Sequence, residues 1–142
     1  MKRIWSDIIA LVCLVAAVAI FFSPVAKGKF PIPTDALVGL YHPWRDFYAK
    51  DYPRGIPYKN FLITDPIRQQ IPWRKVAIDQ WKSGNIPSWN PYNFSGNSLA
   101  GNIQAAAFYP FNILFAFLDF PAAWTILIIL EPLLAALFLY AY

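Results

Sequence analysis

The sequence predicts a mainly α-helical membrane protein in which two apolar helices flank an external loop with short amphipathic helices. Apolar residues make up 58% of the chain and charged ones only 14%, a balance well to the apolar side of an ordinary soluble domain. The apolar residues are gathered into runs at 8–22, 105–118 and 122–142, the pattern of a chain solvated by lipid rather than folded around an aqueous core. Between the runs lies a stretch rich in Pro, Trp, Tyr and Asn, with few of the alternating segments that build sheets.

Residues 1–26 begin with a basic tip, Lys2 and Arg3, and continue into a long apolar run. That layout fits a secretory signal or an uncleaved signal anchor. Pro24 stands where a peptidase needs a small side chain, which favours the anchor, and residues 5–22 reach about 27 Å at helical rise. Lys2 and Arg3 beside the anchor place the amino terminus in the cytoplasm, and a long loop crosses whatever its own charge. Residues 27–104 then form an extracytoplasmic loop, and 122–142 form a second span of a multi-pass protein in the cytoplasmic membrane. That span has no basic flank after it, so the chain reads as the amino-terminal piece of a larger protein. Residues 105–121 are short for a span and contain Pro110 and Asn112, which suits an interfacial or re-entrant segment.

Inside the loop, Asp65 followed by Pro66 is the signature of an amino cap with proline at the first helical position. Pro72 then restarts or kinks the helix. From Trp73, the apolar positions Val76, Ala77 and Trp81 recur at helical spacing, with Arg74, Lys75, Ile78 and Lys82 assigned to the other side and Gly84 as the stop. Such a helix suits the lipid headgroup region. A loose internal echo accompanies it: Thr34, Asp35, Pro43, Trp44 and Arg45 are matched by Thr64, Asp65, Pro72, Trp73 and Arg74, with gaps differing by one residue. Either Pro and Trp coincide through abundance, or two similar elements present an acid and a base to one site.

Twelve Lys and Arg against eight Asp and Glu give a net charge of +4, but no run or basic repeat tracks a phosphodiester backbone, so nucleic acid is not an expected partner. Cys13 is the only cysteine and His42 the only histidine, which removes intrachain disulfides and thiol- or histidine-built metal sites. No cofactor is expected; carboxylates alone can hold a divalent cation, but no grouping in the sequence specifies one.

The loop's acids are Asp35, Asp46, Asp51, Asp65, Asp79 and Asp119. Asp46, Asp51 and Asp79 lie among charged or helical surface and read as solvated. Asp35 and Asp65 each follow a Thr at the head of an expected helix. Each is either a cap or a general base that takes the proton of an attacking hydroxyl. Arg45 and Arg74 follow these acids and suit a phosphate leaving group through fork geometry. On an unbroken helix the nine residues from Asp65 to Arg74 put the two on opposite faces, so their convergence needs the kink at Pro72. The tryptophans and tyrosines are read first as interface anchors and second as sugar platforms. Glu131, inside the second span and directly before Pro132, needs a partner or a polar cavity.

Residues 84–112 read Gly84, Ile86, Pro87, Trp89, Asn90, Pro91, Tyr92, Phe94, Gly96, Leu99, Asn102, Gln104, Ala107, Phe108, Tyr109, Pro110 and Asn112, with Asp65, Gln70, Pro72 and Trp73 upstream. This pattern resembles the first external loop of the YfhO-like bacterial membrane proteins of the GT-C glycosyltransferase superfamily, and departs from it at Ser88 and Asn97. The resemblance implies transfer of a sugar from a polyprenyl-phosphate donor to an extracytoplasmic acceptor, with Asp65 as the catalytic acid residue and Asp35 second. It implies substrate contacts from Gln70, Trp89, Asn90, Asn102, Gln104 and Tyr109 beside the two arginines. It also implies membrane lipid and the further transmembrane helices of a full-length chain as partners, without which this piece is expected to be inactive. The competing expectations are a non-catalytic membrane protein whose aromatic loop binds a lipid or a protein, and a transporter part built around Glu131.

Overall fold

The computed structural model describes residues 2–55 and 62–142, so positions 56–61 of the expected 27–104 loop lie outside the described residues. The protein is mainly helical and divides into two compact units, one of residues 1–31 and 117–142, the other of residues 32–116.

The first unit is built on two long helices. α1 (Lys2–Phe21) has 20 residues and runs into a 3-10 turn, Ser23–Lys27, which Gly28 closes with φ 76° and an N–H bond to the Val25 carbonyl. α6 (Phe120–Ala141) has 22 residues. At 1.5 Å per residue these lengths are about 30 and 33 Å, matched to a hydrocarbon core of about 30 Å. Both helices are long and apolar enough to cross a membrane. They touch each other through a polar bond near their outer ends, where the Tyr140 hydroxyl donates to Asp7 Oδ1 at 2.8 Å. α6 starts two residues earlier than the sequence pattern suggests. The reason is Asp119: its extended backbone (φ −65°, ψ 159°) swings the carboxylate over the helix end, where Oδ1 accepts from the Ala122 N–H at 3.2 Å. Pro121 fits the first turn, where its missing N–H costs no helix bond.

The second unit contains α2 (Thr34–Leu40), α3 (Trp44–Phe47), α4 (Ile71–Lys82), the two-residue strands β1 (Trp89–Asn90) and β2 (Asn97–Ser98), and the start of α5 (Leu114–Phe117). A π-turn over Pro66–Gln70 leads directly into α4, and the Ile71 N–H reaches the Pro66 carbonyl five residues back. A proline at 72 would press its ring onto the carbonyl of Arg68 in a regular α-helix; a wider turn immediately before it relieves that clash. The expected break at Pro72 is therefore a local widening, and the helical run continues through it.

α4 ends where the sequence says it should. Gly84 takes φ 76°, its N–H bonds to the Trp81 carbonyl, and the Asn85 N–H bonds to Gln80, which is the paired bond pattern of a Schellman stop. The face assignment needs one correction. Ile78 is buried beside Ala77, not grouped with Arg74, Lys75 and Lys82, because the buried arc of α4 is wider than the narrow stripe of Val76, Ala77 and Trp81.

One buried cluster of this unit is built largely of alanines. Ala77, Leu99, Ala105 and Ala107 form it, with Trp73 and Val76 packed against it. Ala105 and Ala107 belong to the apolar 105–118 run, so part of that run is packed inside protein. The polar tips of α4 hold the segment that supplies these residues. Trp73 Nε1 donates to Asn93 Oδ1 at 3.1 Å, Gln80 Nε2 to the Trp89 carbonyl at 2.7 Å, and Trp81 Nε1 to the Ala107 carbonyl at 2.9 Å. β1 and β2 pair antiparallel, Trp89 opposite Ser98 and Asn90 opposite Asn97.

Candidate functional site

Asp65 sits at the head of the helical run that includes α4, but it does not cap it. Its backbone is already helical (φ −57°, ψ −41°), and no side-chain bond closes the helix start. The contrast with Asp119 is one of ψ: an extended ψ points a carboxylate back at the first free amides, whereas a helical ψ turns it outward. The Asp65 side chain is exposed, and among the described residues it takes part in no ion pair, including none with Arg74. Asp35 occupies the first turn of α2, whose cap position belongs to Pro33, and is half-buried.

The two halves of the internal echo diverge after their Thr-Asp pairs. The first half breaks into α2 and α3, while the second stays one continuous run. Arg74 is half-buried with its guanidinium over the Tyr109 ring, 6.0 Å from the centroid, a cation–π placement that fixes both groups. Arg45 lies in an exposed local cluster: its Nη2 donates to His42 Nε2 at 2.7 Å, and its Nε lies 3.6 Å from Asp46. Because a guanidinium only donates, Nε2 is the accepting ring nitrogen and Nδ1 bears the hydrogen given to Asp46 at 2.6 Å. Asp46 and Asp79 are thus exposed but engaged, the latter by Lys75 one helical turn earlier at 2.6 Å.

The hydrogen bond from His42, aided by the Arg45 charge and opposed by slight desolvation, holds the Asp46 carboxyl below the usual carboxylate range. A depressed acid contributes its interaction above the ordinary range and loses it as pH falls through the lowered value. His42→Ala should therefore move the Asp46 titration upward toward that of an exposed aspartate, as followed by the carboxyl carbon shift in NMR. An unmoved titration would mean that the pair does not form in solution.

The remaining site residues separate by burial. Asn90 is only 1% exposed: its Nδ2 donates to Asn93 Oδ1 at 2.7 Å and its Oδ1 accepts from the Tyr92 N–H at 3.0 Å. Asn102 caps the 3-10 turn Ile103–Ala105 by accepting from the Gln104 N–H at 3.0 Å. The amides of both residues hold the loop in shape. Gln70 is half-buried at the end of the π-turn, and the Gln104 side chain is exposed. Trp89 is half-exposed, with its ring laid on Gly96. Tyr109, half-buried under Arg74, also meets Phe111 with ring centroids 5.5 Å apart.

Sequence reasoning missed Asn93 and Asn112 as organisers. Asn112 Nδ2 donates to the Ala106 carbonyl at 2.6 Å. A carbonyl can only accept, so the amide nitrogen must face it, and the oxygen is left buried without a partner among the described residues. The signal was the Asn-Pro-Tyr-Asn and Tyr-Pro-Phe-Asn runs, whose turn-forming residues surround an amide. Beside Asn112 lies a groove of about 420 Å3 walled mainly by Ile78, Trp81, Phe108, Tyr109 and Phe115, with Lys82 contributing to its lining. Its size is that of a small-molecule site. Among the described residues, no group of three or more His, Cys, Asp or Glu is placed to hold a metal ion.

Comparison of the chain with protein-family models, with curated proteins and with solved structures yields no match.

Proposed function

We propose that this chain is the amino-terminal, membrane-embedded part of a multi-span glycosyltransferase that moves a sugar from a polyprenyl-phosphate carrier to an extracytoplasmic acceptor. The observation that carries this reading is the Asp65 carboxylate, exposed and, among the described residues, in no ion pair, at the head of the longest helical run of the second unit. Asp65 accepts the proton of the acceptor hydroxyl as its oxygen attacks the anomeric carbon; the bond from that carbon to the phosphate oxygen breaks, and the lipid phosphate departs as an anion. In this reading α1 and α6 span the cytoplasmic membrane, the amino terminus is cytoplasmic, and residues 32–116 face outward.

Membranes from cells producing the full-length enzyme of which this chain is a part should transfer labelled sugar from a polyprenyl-phosphate donor to an envelope acceptor, and membranes lacking it should not. With Cys13 replaced by Ala, a cysteine at Lys50 should react with an impermeant maleimide in intact cells. Equal transfer in both membranes would remove the activity, and labelling only after permeabilisation would remove the topology.

A second reading, a non-catalytic loop that binds lipid or a protein partner, is favoured by one specific observation. Phe94 is 94% and Ile103 93% exposed, more than an isolated surface apolar residue needs. Unchanged envelope sugar content in a deletion strain, together with loss in Phe94→Ser of a lipid or protein that cross-links to the loop, would favour it.

A further inference from the structure

The two helices read as spans contain two acids, Asp7 and Glu131, and no Lys or Arg between Ile4 and Phe21 or between Phe120 and Ala141. Asp7 is answered by the Tyr140 hydroxyl at 2.8 Å. Glu131 is not: it is exposed, halfway along α6, and among the described residues it has no ion pair. The buried residues of α6 are Ala123, Trp124, Thr125 and Leu127, all in its first third. Its second half presents Glu131, Ala135 and Phe138 at helical spacing, all three open.

A carboxyl group at mid-bilayer depth cannot be left against acyl chains. Pro132 sharpens the demand. It has no N–H to give to the Ile128 carbonyl, which lies one turn from Glu131 on the same side. With Glu131 ionised, one level of α6 offers two acceptors and no donor. A second copy of the chain would bring a like charge to that level, so self-pairing does not satisfy the ionised face.

We propose that the Glu131 face of α6 docks a membrane-spanning segment that carries an arginine or lysine at mid-bilayer depth. This rests on the reading of α6 as a span. An arginine meets the requirement best, because its several N–H donors can serve the carboxylate and the freed carbonyl together.

The test uses the full chain in lipid vesicles with labelled Leu/Ala host peptides of 22 residues, one carrying a single central Arg and one without it. Energy transfer should show about tenfold tighter association with the Arg peptide. Glu131→Leu should abolish that preference and Glu131→Gln should weaken it. Equal association of the two peptides overturns the proposal, as does self-association of the chain that depends on Glu131. A spin label at Ala135→Cys, in the Cys13→Ala background, reports depth in the same samples. A hydrocarbon depth without peptide preference defeats this inference alone, whereas a water-exposed label defeats the membrane reading and the inference with it.

Discussion

In the full-length enzyme proposed above, Asp65→Asn should reduce sugar transfer by about 100- to 10,000-fold, the usual contribution of a general base, while leaving insertion and folding unchanged. The two halves of this expectation have separate causes. Asparagine matches aspartate in shape but cannot take a proton, so the loss falls on turnover rather than on donor binding, and KM should move little. The fold is indifferent because Asp65 neither caps its helix nor belongs to an ion pair among the described residues; exposed substitutions of this kind usually stay within about 0.5 kcal/mol. Asp35→Asn is the internal control, since that residue is half-buried in the first turn of α2. Removing its charge there forfeits a favourable placement at a helix amino terminus, so a loss of stability should accompany any loss of rate. Full turnover in Asp65→Asn with loss in Asp35→Asn would transfer the base to Asp35.

How far the chain could be read in advance depended on the range of the interaction involved. The two long helices follow from composition and length alone. The stop of α4 at Gly84 follows from a residue that tolerates positive φ, a local property. The side on which Ile78 falls is set by chain distant in sequence, since it shares a groove wall with Ala107, Phe108 and Phe115, and no local period contains that information. The two aspartates before prolines carry the same lesson. Asp65 and Asp119 look alike as cap signals, yet only Asp119 caps, since the deciding quantity is ψ. Asn90 and Asn102 stood out for good reason, but their residue type did not show whether their amides served a substrate or the loop. The bonds to Asn93, Tyr92 and Gln104 assign those amides to the loop. The two-residue strands were below what alternation can reveal.

Gly96→Ala should damage the second unit severely, destabilising it by about 2–4 kcal/mol. Two independent penalties meet at this position. Phe94, Ser95 and Gly96 turn the chain with φ of 52°, 62° and 109°; the first two stand in the narrow left-handed well, and the last lies beyond it, where an L side chain is more strained still. A Cβ there would also stand 2.6 Å from Cε2 and Nε1 of Trp89. Because the Trp89 backbone is fixed by the Gln80 bond and by pairing with Ser98, the indole can clear the new Cβ only by leaving its side-chain rotamer. The consequence travels along the hairpin to Asn90, whose buried amide depends on the same register. Trp89→Leu should recover part of the loss, since it removes the steric penalty and leaves the backbone penalty, and the pair should therefore be non-additive in a double-mutant cycle. Unfolding in detergent, followed by tryptophan fluorescence, measures both; a Gly96→Ala cost below about 0.5 kcal/mol would mean that the ring does not rest on this glycine.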